Sequence, residues 1–153
     1  MTKIKADQIK KLRAKTKAGV MDCRRALEES SGDLKKAEAW LRKKGIESAS
    51  KREGRETKQG LIEVYLHNDG KIAGLVELLC ETDFVARTDE FKKLAHELAM
   101  QAAAMKPKNV KEFLKQVWIR DEKETIDSLV KELISKTGEN IVVNRVARFE
   151  LGE

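Results

Sequence analysis

The 153-residue sequence predicts an α+β protein in which a three-helix bundle precedes a small antiparallel sheet packed with helices. Three observations lead to this prediction. Apolar residues recur at helical spacing in three stretches before residue 45, two apolar runs flank the turn sequence N-D-G, and the C-terminal end is rich in β-branched residues. Because the helices come first and the strands follow, the order favours α+β over alternating strands and helices.

The first 45 residues are predicted to form three short helices. The first ends near Thr16, the second starts after Gly19, and the third has Asp33 as its N-cap and ends at Gly45. Helices of about ten residues bury little surface alone, so we expect a compact bundle. Ile9 and Leu12 are at helical spacing in the first helix, and one face of the second carries Val20, Cys23, Ala26 and Leu27. The third helix is predicted to bury Leu34, Ala37, Trp40 and Leu41.

A charged linker is predicted over residues 46–59, where no apolar stripe is present. It divides the chain into a helical module, residues 1–45, and an α+β core, residues 60–153. The core begins with a β-hairpin closed by the Asp-Gly turn. Its first strand places Ile62, Val64 and Leu66 on one side, and its second strand, more continuously apolar, is expected to be central.

After the hairpin, apolar spacing predicts three further helices and a last strand. Thr88 or Asp89 is expected to cap a long amphipathic helix that ends before Pro107. The remaining predicted elements are a short helix over 113–118, a helix from about Asp121 to Lys136 closed by Gly138, and a final strand over 140–151 that joins the sheet.

Composition and charge limit the classes of function. Aromatic residues make up only 5% of the chain, which disfavours a platform for stacking nucleic-acid bases. The net charge of +6 is uneven, because residues 1–58 carry nine more basic than acidic residues and residues 59–153 carry three more acidic than basic ones. The basic part is suited to nucleic acid or to an acidic protein surface.

The sequence contains no group of residues that predicts bond chemistry. Only His67 and His96 accompany Cys23 and Cys80, so no zinc site is expected. No glycine is followed by the Lys-Ser or Lys-Thr of a phosphate-binding loop. We therefore expect a protein that is not an enzyme and needs no cofactor or metal.

The place of the protein in the cell is expected to be the cytoplasm, without membrane contact. No apolar stretch approaches the roughly 20 residues that span a bilayer. The N-terminus also has no apolar segment typical of a secretory signal. Two reduced thiols are accordingly favoured over a disulfide.

The stretch C-E-T-D-F-V-A-R, residues 80–87, places an aromatic side chain where a tight exposed corner is expected. Three polar residues end the preceding apolar run, yet Phe84 and Val85 follow. Two interpretations stay open from these residues: Phe84 turns back into the core, or it is offered to a partner. Most aromatic side chains are buried within their own chain, which favours the core.

Three motifs in this chain resemble signatures of the bacterial elongation factor Ts family. They are L-R-A-K-T-K-A-G-V-M-D-C-R-R-A-L-E-E-S-S-G-D at 12–33, C-E-T-D-F-V-A-R at 80–87 and G-E-N-I-V-V-N-R-V-A-R-F at 138–149. They occur in the family's order, and the resemblance covers nearly the whole chain. It implies a module resembling a ubiquitin-associated domain, followed by an α+β core of the dimerisation type.

The family acts as the guanine-nucleotide exchange factor for elongation factor Tu, the GTPase that delivers aminoacyl-tRNA. The resemblance therefore implies binding to that GTPase in its GDP-bound and nucleotide-free states. The residues that it places beside the magnesium and phosphate site of the GTPase are Thr82, Asp83, Phe84 and Val85. The residues of the N-terminal module that it implicates in docking elsewhere on the same GTPase domain are Leu12, Arg13, Val20 and Met21.

Two departures from the family pattern bear on these expectations. The usual Thr-Gly-Ala-Gly turn has Lys17 at its second position, where a backbone with positive φ is less favourable. Many members also carry two core subdomains, whereas only about thirty residues separate Pro107 from Gly138 here. One core subdomain is therefore expected, and a homodimer that supplies the second half is a hypothesis.

Two other classes of function compete with this one. The basic charge of residues 1–58 is the only support for an RNA- or ribosome-associated binding protein, whose affinity would fall steeply with salt. A ubiquitin-binding adaptor would explain the helical module but leaves the second and third motifs without a role. No direct contact with nucleic acid is expected of an exchange factor.

Overall fold

The three predicted N-terminal helices are present in a computed structural model, which describes residues 3–153. Asp33 caps the third helix as predicted, since its carboxylate accepts a hydrogen bond from the Lys36 N–H at 3.0 Å. The elements in chain order are α1 (Ala6–Thr16), α2 (Val20–Glu29), α3 (Leu34–Ala49), β1 (Gln59–His67), β2 (Ile72–Cys80), α4 (Asp83–Ala86), α5 (Asp89–Met105), α6 (Val110–Lys115), β3 (Val117–Trp118), β4 (Asp121–Thr125), α7 (Ile126–Thr137) and β5 (Ile141–Glu150).

The predicted end of the third helix at Gly45 is wrong, because α3 continues to Ala49 and a 3-10 turn follows at Ser50–Arg52. Gly45 is buried in the helix rather than placed after it. A Cβ atom at Gly45 would lie 2.3 Å from the Ser135 hydroxyl oxygen. The glycine therefore allows α3 to approach α7 closely, and the helix leads from the bundle directly onto the core.

The predicted hairpin and its central second strand are confirmed. The sheet is antiparallel with the order β1-β2-β5, and the turn between β1 and β2 has left-handed backbone at Asn68 and Asp69. The side of β2 that carries Val76, Leu78 and Cys80 is buried against helices.

Helix α5 covers the inner face of this sheet and is capped by Thr88, whose hydroxyl accepts from the Phe91 N–H at 3.2 Å. The helix passes very close to β2 at Gly74. A Cβ atom there would lie 2.1 Å from the Ala99 carbonyl oxygen and 2.7 Å from the Ala103 nitrogen. Because Gly74 has no side chain, the backbone of α5 packs directly against the backbone of β2 at this point.

The apolar side of β1 faces away from the helices. Val64 and Leu75 are cross-strand partners on this outer face of the sheet, as are Ala73 and Phe149. Glu77 and Arg145 form an ion pair on the same face. The exposed large apolar side chains of the outer face are Ile62, Val64, Leu66 and Phe149.

The prediction of helix over 113–118 and from Asp121 is wrong in part. Residues 117–118 and 121–125 form a two-stranded ribbon, and α7 begins only at Ile126. The reason is the fully buried side chain of Gln101 in α5. Its amide group donates to the Val117 carbonyl at 3.0 Å and accepts from the Ile119 N–H at 3.0 Å, which holds this backbone in an extended form.

Two separate hydrophobic cores support the folded chain. The smaller one lies within the bundle around Leu12, Cys23 and Leu27, and the larger lies between the sheet and α5 to α7. Cys23 belongs to the first and Cys80 to the second, and both are unpaired thiols. No helix within residues 3–153 is long and apolar enough to cross a bilayer.

Candidate partner-binding surface

The stretch after β2 forms a single helical turn, α4, with a capping threonine. The Thr82 hydroxyl accepts from the Val85 N–H at 3.4 Å, and Asp83 lies 3.3 Å from the guanidinium of Arg87 at the other end of the turn. Ala86 is buried and Val85 packs on the main core, so the turn is attached to the protein along one side.

Phe84 lies on the opposite side of α4 and is 81% exposed. It is the most exposed of the large apolar side chains in residues 3–153. The interpretation of Phe84 as a core residue is therefore wrong. The phenyl ring is therefore accessible to a partner, and an aromatic side chain is the usual form of an interface hot spot.

The thiol of Cys80 lies under this turn and donates to the Thr82 carbonyl at 3.1 Å. Burial raises its pKa to about 11, and the negative charge of Glu139 contributes in the same direction. The thiol thus stays protonated at neutral pH and serves the turn as a hydrogen-bond donor.

This raised pKa predicts slow alkylation of Cys80 in the folded chain. At pH 8 the thiolate fraction should be about 100-fold below that of a thiol with an ordinary pKa, as two pKa units imply. Iodoacetamide labelling of native and urea-unfolded protein, quantified by peptide mass spectrometry, measures the ratio. Because the unfolded thiol ionises first, stability should also fall as the pH rises from about 9 towards 11. Equal labelling rates would contradict the burial argument.

The N-terminal residues implicated by the family resemblance divide into two groups. Arg13, Val20 and Met21 are exposed, and they lie at the end of α1 and the start of α2. Leu12 is 1% exposed inside the bundle core. Its expected contact with a partner is therefore corrected: Leu12 is a packing residue that holds α1 and α2 together.

The structure brings the two predicted contact regions to neighbouring places. Lys17 precedes α2 with a left-handed φ of 56°, and its ammonium group lies 2.6 Å from the Glu90 carboxylate in the first turn of α5. This ion pair lowers the pKa of Glu90. The pair joins the turn before α2 to the segment that follows Phe84, so Lys17 takes part in a contact that glycine could not make.

Sequence reasoning missed the residues that lie beneath the exposed turn. The loop between α7 and β5, including Glu139 and Asn140, contacts the segment that carries Thr82. The sequence feature that points to them is the start of the third motif, G-E-N-I, which is typical of the family and contains both polar residues.

Comparison with known proteins identifies the family. A family model described as Elongation factor TS matches residues 81–153. The elongation factor Ts of Thermotoga neapolitana is 43% identical to this chain over an alignment of 193 positions, gaps included, that spans 98% of each protein. The chain belongs to the elongation factor Ts family. It is therefore a translation elongation factor. The family membership expected from the three sequence motifs is confirmed.

Two further members of the elongation factor Ts family extend the comparison. The protein of Rippkaea orientalis is 42% identical over 199 residues, covering all of this chain and 80% of the relative. The protein of Synechocystis is 42% identical over 199 residues, covering all of this chain and 91% of the relative. Since this chain has 153 residues, at least 46 aligned positions of each relative have no counterpart here.

Proposed function

We propose that this chain is a guanine-nucleotide exchange factor that promotes GDP release from elongation factor Tu without bond chemistry. In this proposal α4 enters the GTPase beside its magnesium and phosphate site and dislocates the ion. The observation that carries the proposal is the exposed Phe84 on a capped turn, at the place where the family motif sets Thr82, Asp83 and Val85. Family membership supports the choice of partner.

The physical basis of exchange is a difference in affinity. A factor that binds the nucleotide-free GTPase more tightly than the GDP-bound form must, by linkage, weaken the binding of GDP by the same ratio. Burying a phenyl ring supplies on the order of 1.5–3 kcal/mol, which corresponds to roughly a tenfold to hundredfold effect. Phe84 contributes to exchange on this scale if its ring is buried in the complex with the nucleotide-free GTPase and not in the complex with the GDP-bound form.

The helical module is proposed to make a second contact with the same GTPase. Arg13, Val20 and Met21 are exposed, and one cation with two apolar side chains suits a protein surface better than RNA. Leu12 lies in the hydrophobic core of the same module. The separate hydrophobic core of the bundle supports the division into a module and an α+β core, with α3 running from one into the other.

Release of fluorescently labelled GDP from purified elongation factor Tu tests the proposal. Addition of this chain should increase the release rate, and most of the increase should remain in about 0.3 M salt, because an apolar wedge is little screened. An RNA-binding function predicts instead no acceleration and tight binding to RNA that falls steeply with salt. Lys15, Lys17 and Arg42 already pair with carboxylates within the chain, which weakens that alternative.

A homodimer through the outer face of the sheet is proposed for the same chain. The face is apolar around Val64 and Phe149 and carries one acid and one base, Glu77 and Arg145. In a twofold interface the same patch of both subunits is in contact, so the acid of one copy can lie opposite the base of the other. The exposed apolar side chains favour this burial.

If the outer face forms the dimer interface, Val64→Asp should make the protein monomeric, because the new carboxylate would be buried opposite apolar side chains. The matched control is Val117→Asp, since Val117 is 45% exposed and Val64 is 47% exposed, and Val117 lies outside the sheet face. Sedimentation at about 50 µM should give a dimer for the wild type and the control and a monomer for Val64→Asp, with Kd weakened on the order of 100-fold. A monomeric wild type at this concentration would disprove the dimer.

A further inference from the structure

The loop of residues 138–140 is hydrogen-bonded to the segment that carries Phe84. The β2–β5 ladder ends at the pair Cys80 and Ile141. Beyond this pair the Glu139 side chain, rather than backbone, makes the hydrogen bonds between the two segments. One carboxylate oxygen accepts from the Thr82 N–H at 2.9 Å, and the other accepts from the Thr82 hydroxyl at 2.6 Å.

A second carboxylate makes the reverse connection. Glu81 accepts from the Asn140 N–H at 2.7 Å, so each segment supplies an acid to the backbone of the other. The Asn140 side chain is buried and donates to the Arg55 carbonyl at 2.9 Å. The two strands are therefore joined past the end of their ladder by three hydrogen bonds to carboxylates.

The bond to Glu139 also orients the cap of α4. A threonine hydroxyl has one proton, and here that proton is directed to Glu139. The lone pairs of the oxygen remain available for the Val85 N–H at 3.4 Å. Glu139 thus reaches the first turn of α4 through Thr82.

We propose that Glu139 is a positioning residue for nucleotide exchange, which holds α4 through Thr82 so that Phe84 is set for insertion before the partner arrives. This inference rests on the proposed exchange function and adds to it a residue outside the inserted turn. A turn that is ordered in advance loses less conformational freedom on binding, and the interaction energy of Phe84 is then available for displacing the nucleotide.

The first test separates positioning from folding in the kinetics of GDP release. Glu139→Ala is expected to lower the release rate at saturating factor about tenfold, as the loss of charge-assisted hydrogen bonds implies. The concentration for half of that rate should stay within about twofold, because the N-terminal contact is intact. A fold defect would do the opposite, since an unfolded fraction lowers the active concentration and leaves the saturating rate unchanged.

Two further variants sharpen this test. Glu139→Gln retains an acceptor for the Thr82 N–H but loses the charge, and it should give an intermediate rate; it also replaces Glu139→Ala if that variant fails to fold. Glu122→Ala is the matched control, because Glu122 is exposed on β4 and belongs to no ion pair among residues 3–153. It should exchange GDP at the wild-type rate.

A double mutant tests whether Glu139 acts through Phe84. If it does, adding Glu139→Ala to Phe84→Ala lowers the release rate no further, whereas independent effects multiply. Multiplication of the two losses, or a wild-type saturating rate for Glu139→Ala, would overturn the inference.

Hydrogen exchange of the free chain gives a readout that does not involve the GTPase. Amides of residues 82–87 should exchange at least about tenfold faster in Glu139→Ala, with the rest of the core unchanged. If wild-type protein fails to release GDP, the exchange function is wrong and this measurement still decides the role of Glu139. Unchanged protection of the turn, or a uniform loss over the whole core, would exclude positioning.

Discussion

Phe84→Ala is expected to slow stimulated GDP release by between about tenfold and hundredfold, while the melting temperature of the free chain changes by less than about 2 °C. The first figure follows from the 1.5–3 kcal/mol of a buried phenyl ring, since about 1.4 kcal/mol is a factor of ten. The second follows from the 81% exposure of the side chain, because exposed substitutions usually change stability by about 0.5 kcal/mol or less. Stopped-flow release of labelled GDP and differential scanning calorimetry measure the two quantities.

The control for this experiment is a phenylalanine of the core. Phe91 is fully buried between α5 and the sheet, and Phe91→Ala should cost about 3–5 kcal/mol of folding stability. It shows that the calorimetric assay detects a lost core ring. The proposed insertion of Phe84 would be wrong if the Phe84→Ala protein melts far below the wild type yet stimulates GDP release normally when folded.

Gly74→Ala is expected to destabilise the core by about 1–3 kcal/mol or more, a large effect for one added methyl group. The backbone of Gly74 is extended and accepts alanine, so the cost is steric. The new Cβ would lie 2.1 Å from the Ala99 carbonyl oxygen, and a helix backbone cannot move aside like a flexible side chain. Urea unfolding monitored by circular dichroism gives the free energy of unfolding.

The same substitution at Gly19 provides the matched control. A Cβ atom there would lie 3.3 Å from a carboxylate oxygen of Asp22, at the mobile end of a side chain. Gly19→Ala should therefore cost about 1 kcal/mol or less, mainly through the weaker N-cap. If both variants lose the same free energy, the close approach of α5 to β2 is not the reason.

Local signals made much of the fold predictable. The Asp-Gly turn, the caps at Asp33 and Thr88 and the helical spacing of apolar residues each depend on neighbours within a few positions, and these predictions are confirmed. The errors arose where distant residues decide the structure. Gly45 has the position of a helix stop in the sequence, but it lies inside α3, where Ser135 packs against it. Gln101 holds residues 117–119 extended despite their helical pattern.

The candidate site shows the same division. The motif residues were predicted from a family resemblance, but neither their exposure nor their attachment follows from spacing. Leu12 and Val20 have similar apolar side chains in neighbouring helices, yet one is in the bundle core and the other is exposed. The contact of Glu139 with Thr82 spans 57 positions of the chain, and only the folded ladder brings these residues together.

The unbroken passage of α3 from the bundle onto α7 gives the two proposed contacts a fixed separation. With a flexible linker, the second contact would depend on a chance encounter within the volume that the linker allows. A continuous helix fixes the distance between the two contacts, so geometry sets the effective concentration of the second contact. The chain between them is already ordered by folding, so its conformational entropy is not lost again on binding. A GTPase surface whose two receiving sites move apart then engages only one of the contacts at a time, and the gain in affinity from linking them is lost.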